Sequence, residues 1–256
     1  MGIFDRWKKH ADDDRATTPG GDPLYVHDDI RAYDEVAAID ADRVQLRDAH
    51  LARFVGDDWT VLHEIASVGI HLDVYVFPPM GDRDVYLLVT SGMSDRPMAM
   101  PPGAEDGRFA ELMLALPPYW AGLELDDSAD TADRGPLSDE RNYWPIRLLK
   151  GLARLPHDYE TFLSWGHSIP NGDPAEPYAP GVPFTGALIG PPLGLDPDIF
   201  ELQTPDGPIF YYAVLPLTDA EMELKISTPE GGSLLIDRMI DEDLTMVVDP
   251  DRPELA

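Results

Sequence analysis

Seven histidines and no cysteine bound the chemistry open to this chain. Without cysteine there is no disulfide framework and no thiolate metal site. Gly166-His167-Ser168-Ile169-Pro170 resembles the strained serine turn of α/β-hydrolases, Gly-x-Ser-x-Gly. Pro170 replaces the last glycine, and Asn171-Gly172 is turn chemistry where a helix must start. That hydrolase order also puts the catalytic histidine after the serine, and none follows Ser168. No Gly-Lys-Ser/Thr phosphate loop, Gly-x-Gly-x-x-Gly dinucleotide turn or His-Glu-x-x-His zinc helix occurs. One cluster remains. His71 and Asp73 are two apart, which on a strand places them on one face roughly 6–7 Å from each other. His63 and Glu64 on a neighbouring strand are placed to join them, and His157 or His167 would complete a histidine-carboxylate metal site. The competing reading is polar residues that satisfy one another on a sheet face, and it is preferred because buried polar groups usually pair. No catalytic residue, metal or cofactor is expected.

The formal charge of −29, with lysine only at positions 8, 9, 150 and 225, disfavours other partners. Nucleic-acid binding rests on cations that displace phosphate counterions, and anionic membranes repel such a surface too. A basic protein would be drawn to it, although high-salt adaptation or high-GC coding gives the same composition. No signal peptide, myristoylation pattern or apolar run of about 20 residues is seen, so a cytoplasmic protein is expected.

These residues need a scaffold. Residues 1–23 carry Asp12-Asp13-Asp14 and Thr17-Thr18-Pro19-Gly20-Gly21, and read as a flexible tail ahead of one domain, 24–256. Residues 29–54 have a charged helical pattern, as two helices. Strands are predicted at 59–65, 70–77 and 85–90, the last two joined as a hairpin by Pro78-Pro79 and Gly81-Asp82. Residues 109–116 read as a short apolar helix stopped by Pro117-Pro118. Residues 126–136 read as an exposed loop, 143–155 as a helix and 164–183 as a long loop. Strands are predicted at 184–189, 199–203 and 208–216. Thr218-Asp219-Ala220-Glu221 is a capping box opening a helix, and a last helix covers 233–240. The pattern predicts an α+β fold with a mainly antiparallel or mixed sheet flanked by helices.

Several segments together resemble the Suppressor of fused domain family. They are His71-Leu72-Asp73-Val74-Tyr75-Val76-Phe77-Pro78-Pro79 leading to Leu88-Val89-Thr90-Ser91-Gly92-Met93-Ser94-Asp95-Arg96-Pro97-Met98, then Ala110-Glu111-Leu112-Met113 with Leu116-Pro117-Pro118 and Trp120. Trp144-Pro145-Ile146-Arg147-Leu148-Leu149-Lys150-Gly151 follows, then Thr161-Phe162 to Gly166-His167 and Ile169-Pro170-Asn171-Gly172. Asp206-Gly207-Pro208-Ile209-Phe210 and Leu217-Thr218-Asp219-Ala220-Glu221-Met222 close the series. Order and spacing are similar to the bacterial branch from about residue 42 to residue 253. The resemblance implies the Suppressor of fused-like fold and no catalysis. It implies an immunity-type protein that sequesters a toxin or other protein, with a basic toxin domain as the candidate partner. A regulatory scaffold that holds a peptide on a sheet edge is the alternative, and a metal-dependent enzyme the third reading. The clamp between two domains of the eukaryotic members does not carry over. The loop 164–176 is the expected partner surface, since long ordered loops usually bind something. Its candidates are Trp165, His167, Asn171 and Asp173.

Overall fold

The computed structural model describes residues 16–27, 30–33, 36–37, 39–64, 69–124 and 135–256. Its centre is a sheet of eight strands: β1 (Thr60–Leu62), β2 (Asp73–Phe77), β3 (Tyr86–Ser91), β4 (Phe109–Leu116), β5 (Ser168–Pro170), β6 (Phe184–Gly190), β7 (Glu201–Leu202) and β8 (Ile209–Thr218). The spatial order is β1-β2-β3-β4-β8-β6-β5, with β7 also paired to β8. The pairs are antiparallel except β4 with β8, which runs parallel through Phe109↔Ile209 to Met113↔Ala213. The sheet is therefore mixed, and the fold is α+β.

Helices cover both faces, which explains why the central strands are mostly apolar. Along β4, Ala110, Leu112 and Leu114 join one core with Trp144, Ile146 and Leu149 of α2 (Glu140–Asp158). Phe109, Met113 and Ala115 point the other way, into a core with Leu51 and Val55 of α1 (Ala41–Val55). Leu235, Ile236 and Met239 of α4 (Gly231–Asp241) complete that second core. The strand period of two sorts residues between cores rather than between core and water.

Local chemistry sets the helix ends. Asp40 caps α1 by accepting from the Asp42 and Arg43 N–H groups at 3.1 Å. Thr218 and Glu221 form the predicted capping box of α3 (Asp219–Ser227). The helix predicted at 143–155 is α2, longer at both ends, with Asp139 as its cap.

Three expectations are corrected. Residues 109–116 form β4, not a helix. A continuous apolar run carries no period that separates a buried helix from a strand covered on both faces. Residues 29–54 do not make two helices: among the described residues there, helix begins at Ala41, where Asp40 supplies the cap. Of the strand at 199–203 only Glu201 and Leu202 pair, because Pro197–Phe200 is a 3₁₀ turn capped by Asp196. Residues 1–15, 65–68 and 125–134 lie outside the described residues, and with them most of the tail and most of the loop at 126–136.

Candidate functional site

His63, His71 and Asp73 do come together, at the start of β2. The Asp73 carboxylate meets His63 Nδ1 at 3.1 Å through Oδ2 and His71 Nε2 at 3.1 Å through Oδ1. The Glu64 N–H also donates to Asp73 Oδ1, at 2.9 Å. Glu64 turns elsewhere: it accepts from the Leu72 N–H at 3.1 Å and pairs with Arg154. These residues satisfy one another, one nitrogen of each imidazole meeting the Asp73 carboxylate. Among the described residues, no group of three or more His, Asp or Glu is arranged to hold a metal ion. His157 does not join them: it is buried in α2 and donates to the Met93 carbonyl at 3.0 Å. Burial pushes its imidazole down to about 4, with Arg96 and Arg154 adding to the effect.

The strongest polar cluster was not singled out from sequence. Glu111 sits in the middle of β4, fully buried. Its Oε1 accepts from Ser94 Oγ at 2.6 Å and from the Gly92 and Ser94 N–H groups at 3.1 Å, and its Oε2 from Thr90 Oγ1 at 2.7 Å. Arg47 of α1 meets Glu111 at 3.3 Å and Asp95 at 2.6 Å. Burial pushes the Glu111 carboxyl up, against the pull of Arg47 and of the Ser94 and Thr90 hydrogen bonds. Water cannot reach it, so the cluster braces α1 against β3 and β4. One glutamate inside an otherwise apolar run was the signal available.

The loop that follows α2 is ordered by backbone bonds to β6. Gly166 N–H donates to Ile189 O and Ile189 N–H to His167 O, both at 2.8 Å, and Asn171 N–H donates to Thr185 O at 2.7 Å. Trp165 is half-buried, its ring edge-on to Phe200 at 5.7 Å. His167 packs edge-on to Phe162 at 5.0 Å, and burial pushes its imidazole down to about 4, with Lys225 adding to the effect. Asn171 staples the loop by donating from Nδ2 to Glu176 O at 2.7 Å. Asp173 is exposed at the tip. The four candidates therefore divide: Trp165, His167 and Asn171 hold the loop, and Asp173 faces water.

Beside this loop lies a segment the sequence reading did not single out. Residues 16–37, where described, run without helix or strand past the C-terminal end of α2. Tyr25 packs edge-on to Phe162 at 5.6 Å and lies 6.0 Å from the His167 ring. His27 stacks on Tyr159 at 5.3 Å, Arg31 N–H donates to Asp158 O at 2.7 Å and Ala37 N–H to Gly69 O at 2.8 Å. Large apolar side chains stay in water here: Leu24, Tyr25, Val26, Ile30, Val36 and Ile39 are all exposed, Val26 by 70%. Tyr25 brings this stretch up to the loop, beside the His167 ring. Leu24, Tyr25 and Val26, apolar and without period ahead of the helical pattern expected from residue 29, were the signal in the sequence.

Two shallow clefts are also present. One, of about 580 Å³, lies between His50 and Arg53 of α1 and the Pro197–Gln203 stretch. The other, of about 380 Å³, lies at the end of α2. No helix among the described residues is long and apolar enough to cross a membrane.

Four antiparallel strands, a parallel return strand and helices on both faces define an α+β domain of the Suppressor of fused type. The profile of the Suppressor of fused protein (SUFU) family matches residues 69–253, and the chain belongs to that family. Its fold is that of solved relatives. A SUFU homologue from Neisseria gonorrhoeae superposes with TM-score 0.56 at 15% identity, over 85% of this chain and 98% of that one. The structure of a Sufu–Fu complex gives 0.54 at 16%, over 83% of this chain and 91% of that one. Drosophila Suppressor of Fused gives 0.55 at 16%, over 85% of this chain but 54% of that one. No curated protein matches the chain in sequence.

Proposed function

We propose that the chain is a non-catalytic, intracellular protein-binding domain of the immunity type, which sequesters a toxin or another protein partner. The carrying observation is the set of exposed apolar side chains Leu24, Tyr25, Val26, Ile30, Val36 and Ile39, with Tyr25 packed beside the His167 ring of the loop. Large apolar side chains gathered in water on one stretch of surface favour protein contact. A chain of net charge −29 adds attraction for a basic partner. The relative crystallised as a Sufu–Fu complex supports protein binding as the mode of action. Trp165, His167 and Asn171 would act by holding the loop in shape, and Asp173 by touching the partner.

The test is capture, at low salt, of products of neighbouring genes, repeated with Val26→Asp and Ile30→Asp. Each substitution puts a charge into the apolar patch, and a hot-spot loss of about 2 kcal/mol or more is expected. Unchanged binding in both variants would discard this surface. The second reading, a scaffold that adds a peptide strand, is favoured by β1, a terminal strand of the sheet that is only partly buried. Binding lost on placing a proline in β1, yet kept in Val26→Asp, would select it.

A further inference from the structure

The edge of a sheet offers backbone donors and acceptors, and proteins usually blunt it with charge, proline or a bulge. The strand order puts β1 at one end and β5 at the other, with β7, two residues long, beside β8. β5 ends in Pro170, which has no N–H to give. β1 is Thr60-Val61-Leu62, without proline or charge, and each of the three is only partly buried. The strand is also held in place. At its start Trp59 stacks on Tyr75 at 5.6 Å and lies 5.4 Å from the Phe77 ring. At its end His63 and the Glu64 N–H are tied to the Asp73 carboxylate. An edge fixed in this way needs little further ordering when a partner arrives.

Three residues give an added strand few backbone bonds, so neighbouring side chains must supply the rest. Asp57 and Asp58 precede Trp59 and are exposed. The turn after β2 comes to the same end: Met80 lies against Gly56, where a Cβ would collide with its Cε. Met80 and Arg83 exchange backbone hydrogen bonds at 3.0 and 3.1 Å, and Asp82 and Asp84 stand exposed on either side of Arg83. Arg83 turns inward, donating from Nη2 to the Pro78 carbonyl at 2.8 Å. Arg53, on the last turn of α1, offsets part of the negative charge and lies over the Phe54 ring. Four exposed aspartates therefore gather at the start of the edge, around Met80 as an exposed apolar contact. An incoming strand with acidic side chains is repelled here, and a basic one is attracted.

We propose that the outer edge of β1 takes an extended, basic segment of a partner protein. Its backbone pairs with Thr60–Leu62, and its cations meet Asp57, Asp58, Asp82 and Asp84. This inference rests on the strand-adding reading above and names the chemistry of the strand.

The probe is a nine-residue synthetic peptide of alternating lysine and valine, titrated at low salt into the isotope-labelled protein. A glutamate–valine peptide reverses the charge. A lysine–glycine peptide keeps the charge but favours strands poorly. Saturable amide shifts are expected at residues 57–63 with the lysine–valine peptide alone, together with slower hydrogen exchange within Thr60–Leu62. Asp57→Asn with Asp58→Asn should weaken binding about fivefold, the loss of two exposed ion pairs. Asp237→Asn with Asp241→Asn, exposed on α4, should leave binding unchanged. Equal binding of the glutamate–valine peptide, or equal effects of the two double variants, would overturn the basic partner and leave strand addition standing. Equal binding of the lysine–glycine peptide, shifts centred away from β1, or no saturable binding would overturn both.

Discussion

Glu111 and Arg47 place opposite charges where water cannot follow, and the consequence is measurable. Removing one partner of such a pair strands the other, which costs about 3–5 kcal/mol, whereas replacing both by apolar residues costs little. Arg47→Met alone should therefore lower the urea midpoint sharply, and Arg47→Met with Glu111→Leu should recover much of the loss. Asp95 and the Ser94 contacts temper the recovery, because they also lean on Arg47. His157 makes a second prediction. Its value in the fold is about 4, below its ordinary 6.5, because burial opposes the charged ring. The stabilising difference is intact above pH 6.5 and is lost as pH falls toward 4, while the unfolded chain takes up the proton. The slope contributed is up to about 1.4 kcal/mol per pH unit. His157→Gln, which keeps a donor for Met93, should flatten stability against pH by that amount in urea titrations between about pH 7 and pH 5. Parallel curves for the two proteins would remove His157 from the account.

Elements were legible where the chain announces them by turn chemistry or capping, and illegible where only burial decides. The hairpin of β2 and β3, the capping box at Thr218 and the helix around Trp144 follow from residue types within a few positions. β4 does not: Phe109 to Leu116 contains good helix formers, and only pairing with β3 and β8 makes it a strand. The candidate site divides the same way. His71 and Asp73 were placed side by side by strand period, and His63 did join them, but which nitrogens meet which oxygens is a tertiary fact. The Gly, Pro and Asn content marked 164–183 as a loop without showing that Ser168–Pro170 pairs as β5, whereas the segment around Tyr25 lacks the period that would have marked it. One glycine ties this level together. Gly92, at φ 126°, follows β3 and gives its N–H to Glu111, and a Cβ there would lie 1.9 Å from the His71 carbonyl oxygen. Gly92→Ala should cost about 2–4 kcal/mol in thermal or denaturant unfolding, with the damage centred on β2, β3 and the brace beneath them. A change under about 0.5 kcal/mol would mean that the turn relaxes freely.

At the scale of the molecule, a net charge of −29 pushes the fold apart and would attract a basic partner. Added salt acts on both, with opposite signs. Screening of self-repulsion should raise the melting temperature as sodium chloride increases. Screening of attraction should slow association with a basic partner over the same range. A partner complex whose association rate ignores salt would separate the acidity from binding and leave it as a property of the solvent to which the chain is adapted.

Helix α3 receives the described chain from both directions. Gly20 N–H donates to Ile226 O at 2.8 Å, and the buried Lys225 ammonium meets Asp22 at 2.9 Å. On its first turn, Glu221 accepts from both Arg252 and the Leu255 N–H, at 2.5 and 3.1 Å. Segments more than 200 residues apart in sequence are thus latched to one short helix. Amide hydrogens around residues 20–24 and 252–255 should exchange in step with those of α3, as one cooperative unit. A tether pulling on either segment would load the same latch, so the two flanks of the chain share one mechanical fate.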